Sequence, residues 1–138
     1  MIATYSFPTE TKVSLVLEQL TYNTDDKITG NVNEYKRIAW YSVFKQRFGP
    51  HQVWASYGVA NAGSCTRVGG GPVTTNGLGA AQYSLGYSYS LSAASDIFAS
   101  YYGTANDRSA SYAVFPSPGT VAPGSTTQGI GLGMLFTF

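Results

Sequence analysis

Gly129-Ile130-Gly131-Leu132-Gly133-Met134-Leu135-Phe136-Thr137-Phe138 ends the chain, and its reading decides the fold. Counting back from Phe138, every second residue is large and apolar: Phe136, Met134, Leu132 and Ile130. Thr137, Leu135 and three glycines lie between them. Side chains alternate across a strand, so this period of two predicts a β-strand with one apolar face. A strand of a soluble domain rarely finishes this way, because an exposed apolar edge invites pairing with other chains. On a transmembrane barrel the pattern is ordinary, since one face meets lipid and the other meets the lumen.

Composition agrees with a half-lipid, half-water sheet. Charged residues are 11% of the 138, well below the ~25% of typical soluble domains. Tyr occurs 11 times and Gly 16 times. Apolar residues make up 43%, yet no run approaches the ~18–20 residues that a membrane helix needs. A soluble β-sandwich, which also favours Tyr, Gly and Ser, is the alternative on composition alone. The net charge of +1 leaves no electrostatic footprint for nucleic acid. Cys65 is the only cysteine, so an internal disulfide is ruled out, and it reads as a thiol in a loop. No basic and apolar leader follows Met1. An exported protein needs one, so the expectation is that the sequence begins inside a longer protein.

The same alternation recurs upstream. Residues 1–7 read as the end of a strand, with Ala3, Tyr5 and Phe7 on one face. Residues 12–22 place Val13, Leu15 and Leu17 on one face and Lys12, Ser14, Val16 and Glu18 on the other. Residues 35–48 set Ile38, Trp40, Ser42, Phe44 and Phe48 against Arg37, Ala39, Tyr41, Val43, Lys45 and Arg47. Residues 52–58 follow, with Val53, Ala55 and Tyr57 against Gln52, Trp54 and Ser56. Residues 77–91 give the clearest internal case: Ala81, Tyr83, Leu85, Tyr87, Tyr89 and Leu91 against Gln82, Ser84, Gly86, Ser88 and Ser90. In residues 96–104, Ile97, Ala99 and Tyr101 are assigned to the apolar face, although Phe98 and Tyr102 compete with them. The total is about seven strands.

The connections alternate in length. Residues 8–11, 48–51 and 92–95 are short turns, whereas 23–34, 60–76 and 105–125 are long and polar or Gly- and Pro-rich. An up-and-down meander then has all its short turns at one end. This is the asymmetry of outer-membrane barrels, with short periplasmic turns and longer external loops. A sandwich has no reason to keep this parity. The fold class expected is all-β, an antiparallel transmembrane β-barrel, with residues 1–138 as one portion of it.

Several pieces carry a family resemblance: Gln82-Tyr83-Ser84-Leu85-Gly86-Tyr87-Ser88-Tyr89-Ser90-Leu91-Ser92, Asp96-Ile97-Phe98-Ala99-Ser100-Tyr101-Tyr102 and the Phe-terminated last strand. Phe48-Gly49-Pro50-His51 with Ala55-Ser56-Tyr57-Gly58, and Lys12-Val13-Ser14-Leu15, add to it more loosely. Together they resemble the general diffusion porins of Gram-negative bacteria, of the beta-proteobacterial type. The resemblance implies a C-terminal part of a barrel of about sixteen strands that assembles as a homotrimer in the outer membrane. It also implies passive diffusion of small hydrophilic solutes and ions, with no enzyme activity and no cofactor. The inward-folded constriction loop of such porins would lie outside this sequence. The chain departs from the family at Ala93-Ala94-Ser95, where basic residues are usual, at Leu135-Phe136, where Arg-His is frequent, and at Trp54, where a charge is frequent.

Candidate functional residues follow from the alternation. Lys12, Glu18, Arg37, Lys45 and Arg47 all fall on the polar side and are the expected pore-lining charges. The competing reading is that they are solvated wall residues. Tyr5, Phe7, Trp40, Phe44, Phe48, Tyr83, Tyr89 and Phe138 are the expected aromatic girdle against outer-membrane lipid, with Phe136 beside them in the terminal strand. By resemblance, Phe138 also ends the signal that the barrel-assembly machinery reads. Its deletion in a full-length context is expected to lower the amount of heat-modifiable, folded protein in membranes. No catalytic or metal constellation is expected. His51 is the only histidine and reads as a turn residue, Gly-x-Ser-x-Gly is absent, and Gly69-Gly70-Gly71-Pro72 lacks the Lys of a phosphate loop. A small non-conducting outer-membrane barrel and a soluble β-sandwich binding module remain the alternatives.

Overall fold

The structure is a computed structural model that describes residues 1–25, 27–113 and 120–137. Phe138, Asp26, Pro116 and Pro118 lie outside the described residues. Among the described residues nine strands form: β1 (Ile2–Ser6), β2 (Thr11–Asn23), β3 (Val32–Phe48), β4 (His51–Ala60), β5 (Ser64–Arg67), β6 (Pro72–Val73), β7 (Ala80–Ser92), β8 (Ser95–Asn106) and β9 (Thr126–Phe136). They belong to one antiparallel sheet, ordered β1-β2-β3-β4-β7-β8-β9, with β5 and β6 off this path. The path therefore has the seven expected strands. β1 and β9 are its two ends and do not pair with each other, so the sheet is open.

The expected boundaries shift in three places. β3 begins at Val32, inside the segment read as loop, because its first residues pair with β5. The 60–76 connection is not wholly irregular: β5 and β6 form a small hairpin that extends the upper edge of β3. Cys65 consequently sits on a strand, opposite Tyr35 and Val73, and not in a loop. His51 opens β4, opposite Phe48 and Tyr89, and is not a turn residue.

Two-residue connections, 49–50 and 93–94, join β3 to β4 and β7 to β8. Gly49 takes a φ of 57°, as the first residue of a tight twisted hairpin demands, and Pro50 fixes the second. The short turns all lie at one end of the sheet and the long connections, 24–31, 61–79 and 107–125, at the other. The expected parity holds.

Opposed residues in an antiparallel pair share a face. One face therefore carries Val13, Leu15, Leu17, Ile38, Trp40, Phe44, Val53, Ala55, Tyr57, Tyr83, Leu85, Tyr87, Tyr89, Ile97, Ala99, Tyr101, Ile130, Leu132, Met134 and Phe136. The other carries Lys12, Glu18, Arg37, Lys45, Arg47 and Asp96 and most of the serines. Phe98 and Tyr102 fall on this second face, which resolves the ambiguity in β8 in favour of Ile97, Ala99 and Tyr101.

Burial is inverted relative to a globular domain. The apolar face is open, with Ile130 74% and Leu132 78% exposed. The buried polar side chains are Ser56 and Thr104, both on the polar face. Among the described residues the single buried apolar residue is Ala110, and no large side chain is fully buried. Each strand backbone approaches only the strands to which it is hydrogen-bonded, so among the described residues no second layer of strands covers either face.

Packing within the sheet comes from aromatic rings lying across glycines of the adjacent strand. Tyr41 faces Gly58, Trp54 faces Gly86, Phe98 faces Gly133 and Tyr102 faces Gly129, all directly opposed pairs on the polar face. Tyr83 faces Gly103 in the same way on the apolar face. At each of these glycines an added Cβ would run into the ring. The rings cover backbone that a glycine leaves bare, and the glycines make room for the rings.

Candidate functional site

The polar face brings the five expected charges to one side of the sheet but does not cluster them. Lys12 and Lys45 are directly opposed on β2 and β3, an arrangement that repels and that concentrates positive potential. Arg47 lies two residues further along β3, at the short-turn end, where its Nε donates to the Gly49 carbonyl at 3.1 Å. Part of its donor capacity is thus spent on the turn. Glu18 and Arg37 sit in the other half of the face, beside the long connections. Glu18 is opposite Ala39 and Arg37 opposite Leu20. Neither is ion-paired within 4.0 Å among the described residues.

Arg37 is held from outside the sheet. Its Nη1 donates to the Tyr112 hydroxyl at 2.6 Å, and its guanidinium carbon stands 5.4 Å from the centre of the Tyr112 ring. Tyr112 belongs to the β8–β9 connection, whose residues 107–112 reach from β8 to Arg37 of β3. Together with Glu18, Tyr41, Gln82 and Thr104 it bounds a cleft of about 270 Å³. The sequence offered no sign of this contact, because the partners are 75 residues apart and one lies in an irregular segment.

The short-turn half of the same face is less polar than expected. Val43, Trp54, Phe98 and Leu135 line a second depression, with Lys45, Gln52, Ser88 and Asp96 around it. Trp54 and Leu135 are two of the positions where the chain departs from the porin pattern, and both fall here. Between the two regions Ser56 and Ser84 share a hydrogen bond of 2.6 Å, which satisfies both hydroxyls across β4 and β7.

On the apolar face the expected aromatics form two groups. Near the long-connection end, Trp40 packs against Tyr57 (5.6 Å between ring centres) and Tyr83 against Tyr101 (6.1 Å). The Tyr101 hydroxyl donates to Gln128 Oε1 at 2.7 Å. Near the short-turn end, His51 packs against Tyr89 at 5.1 Å and Tyr87 at 6.0 Å, and its Nδ1 is hydrogen-bonded to the Tyr87 hydroxyl at 2.7 Å. Tyr5 meets Phe7 edge-on at 4.6 Å. Phe48 and Phe136 are exposed at this end as well. Phe44 stands between the two groups, on the rung of Ala55 and Leu85, and so belongs to the apolar field. Tyr57, Tyr87 and His51 are additions that the sequence reading left out; the period-two alternation of residues 52–58 and 77–91 already carried the two tyrosines.

Polar residues bound this field. Along β3 the apolar-face positions run Gln46, Phe44, Ser42, Trp40, Ile38, Lys36. Gln46 is tied to Thr11 Oγ1 and donates to the Thr9 carbonyl at 2.8 Å, and Lys36 pairs with Glu34 at 2.9 Å. Phe44 to Ile38 is six steps, or about 20 Å along the strand. That length compares with the ~25 Å apolar band of outer-membrane barrels.

No family model, no curated protein and no solved structure matches the chain.

Proposed function

We propose that this chain is part of the wall of an outer-membrane porin, through which small hydrophilic solutes and ions diffuse passively. The observation that carries the reading is the inversion of the sheet. Its broad apolar face is exposed in a single layer, while most of its serines, Thr104 and four of the five rings over glycine pack on the other side. In water such a face would be costly, at roughly 25 cal/mol for each Å² of apolar surface left uncovered. Against lipid it needs no cover. The two aromatic groups would lie at the two interfaces, and the charged face would line water. The single layer also weighs against a soluble sandwich, which buries its apolar faces between two sheets.

Seven strands in an open sheet leave the outer backbone groups of β1 and β9 unpaired. In hydrocarbon each orphan group costs several kcal/mol. The isolated chain is therefore proposed to be incompetent as a channel, and the conducting form to be a closed barrel, homotrimeric in the outer membrane and placed there by the barrel-assembly machinery. Stable, uniform single-channel steps from the purified 138-residue chain would refute this part of the proposal. A small non-conducting barrel is less favoured, because the strands formed by the long connections, β5 and β6, sit off the path and add nothing to the wall.

The two tryptophans test the lipid and water assignments directly, since Trp40 is on the apolar face and Trp54 on the polar one. The Trp54→Phe variant, reconstituted in lipid vesicles, should have its remaining emission quenched by brominated acyl chains. The Trp40→Phe variant should respond instead to aqueous iodide. Equal response of both variants to the brominated lipid would sink the reading.

A further inference from the structure

The first residues of the β8–β9 connection are fastened to the rest of the molecule. They are tied to the β4–β7 connection: the Asp107 amide donates to the Gly79 carbonyl at 3.0 Å and the Ser109 amide to the Gly77 carbonyl at 2.9 Å. Ala110 is 3% exposed. Asn106, the last residue of β8, then grips the segment from both sides. Its Nδ2 donates to the Tyr112 carbonyl at 2.8 Å and to the Ser125 carbonyl at 2.9 Å, while its Oδ1 accepts from the Tyr112 amide at 2.9 Å. One side chain thus fixes the outgoing and the returning arm of the connection. The residue it holds is Tyr112, whose ring and hydroxyl both engage Arg37.

Arg37 gains a neutral partner in place of a carboxylate. Its Nε is buried without a hydrogen-bond partner, although Glu18 lines the same cleft. A guanidinium left in this state is restrained and partly desolvated. Unless something of value depends on the contact, a solvated arginine would be the cheaper arrangement.

We infer that residues 106–113 form a fastened strap across the polar face, clamped by Asn106, which narrows the passage at Arg37 and masks that cation from passing solutes. The inference rests on the water-lined reading of this face and assigns Tyr112 as a determinant of its charge preference. Releasing Tyr112 widens the cleft and unmasks Arg37, so anionic solutes gain more than cationic ones.

The test uses the full chain, refolded in detergent, with Cys65→Ser and a reporter thiol introduced by Gln82→Cys in the cleft wall. The rates of modification by a negatively charged sulfonate thiosulfonate and by its trimethylammonium counterpart are compared. Tyr112→Ala should raise the anionic-to-cationic rate ratio about threefold or more, as one unmasked charge at short range predicts. Tyr112→Phe, which keeps the fold and the ring and loses the hydroxyl, should give a smaller rise in the same direction. Asn106→Ala should speed tryptic cleavage after the exposed Arg108. An unchanged ratio in both Tyr112 variants overturns the masking role, and an unchanged cleavage rate overturns the clamp. A reporter thiol inert to both reagents in every variant overturns the water-lined reading, and the strap's role falls with it.

Discussion

The two faces of this sheet use the same residue types to opposite ends. On the polar face, Tyr41, Trp54, Phe98 and Tyr102 lie flat over glycines of the neighbouring strand and pack the sheet against itself. On the apolar face most aromatics stand clear and meet one another in two groups, Trp40 with Tyr57 and His51 with Tyr87 and Tyr89. An aromatic ring is therefore no marker of a face here. What decides whether a ring packs on the sheet is whether the opposed residue is a glycine, as Tyr83 over Gly103 shows on the apolar face too, and that depends on register.

The largest expected effect separates the faces by charge. Leu85→Arg, in the middle of the apolar field, should cost ~2–4 kcal/mol of stability in lipid vesicles, whereas Ser88→Arg on the polar face should cost little. Denaturant titration of both variants in the same vesicles makes the comparison, and equal losses would break it. Next comes Gly86→Ala. Its new Cβ has no room beside the Trp54 ring, so overpacking should cost ~1–3 kcal/mol. The double variant with Trp54→Ala should recover most of that loss, and strict additivity would mean the ring is not where the pairing puts it. Smaller again is the coupling between Trp40 and Tyr57, expected at ~0.5–1.5 kcal/mol in a double-mutant cycle. The smallest effect is at the Ser56–Ser84 bond, where Ser56→Ala should cost about 1 kcal/mol, read as a small shift in unfolding midpoint.

Much of the sheet was legible because its chemistry repeats every two residues. The terminal strand, the 77–91 alternation and the length parity of the connections were enough to give seven strands and one direction. The faces of Lys12, Glu18, Arg37, Lys45 and Arg47 followed from the same period. Phe98 and Tyr102 resisted it, because large apolar residues on the polar face look like an error until Gly133 and Gly129 are placed opposite them. The β5–β6 hairpin was hidden by its setting among Gly69, Gly70 and Gly71, and its strands are four and two residues long. The Tyr112 contact was beyond reach for another reason. It depends on where residues 107–112 come to rest after β8, and no local pattern encodes that.

The count of strands in the path carries one more consequence. Each neighbour runs against the last, so the first and seventh strands, β1 and β9, point the same way. Joining them directly, or joining β9 to the β1 of a second copy inserted in the same sense, would produce a parallel seam. A wall that is antiparallel all round must receive an odd number of further strands between these edges. Simple doubling of this sheet therefore cannot complete such a wall; only an insert with its own unpaired direction can.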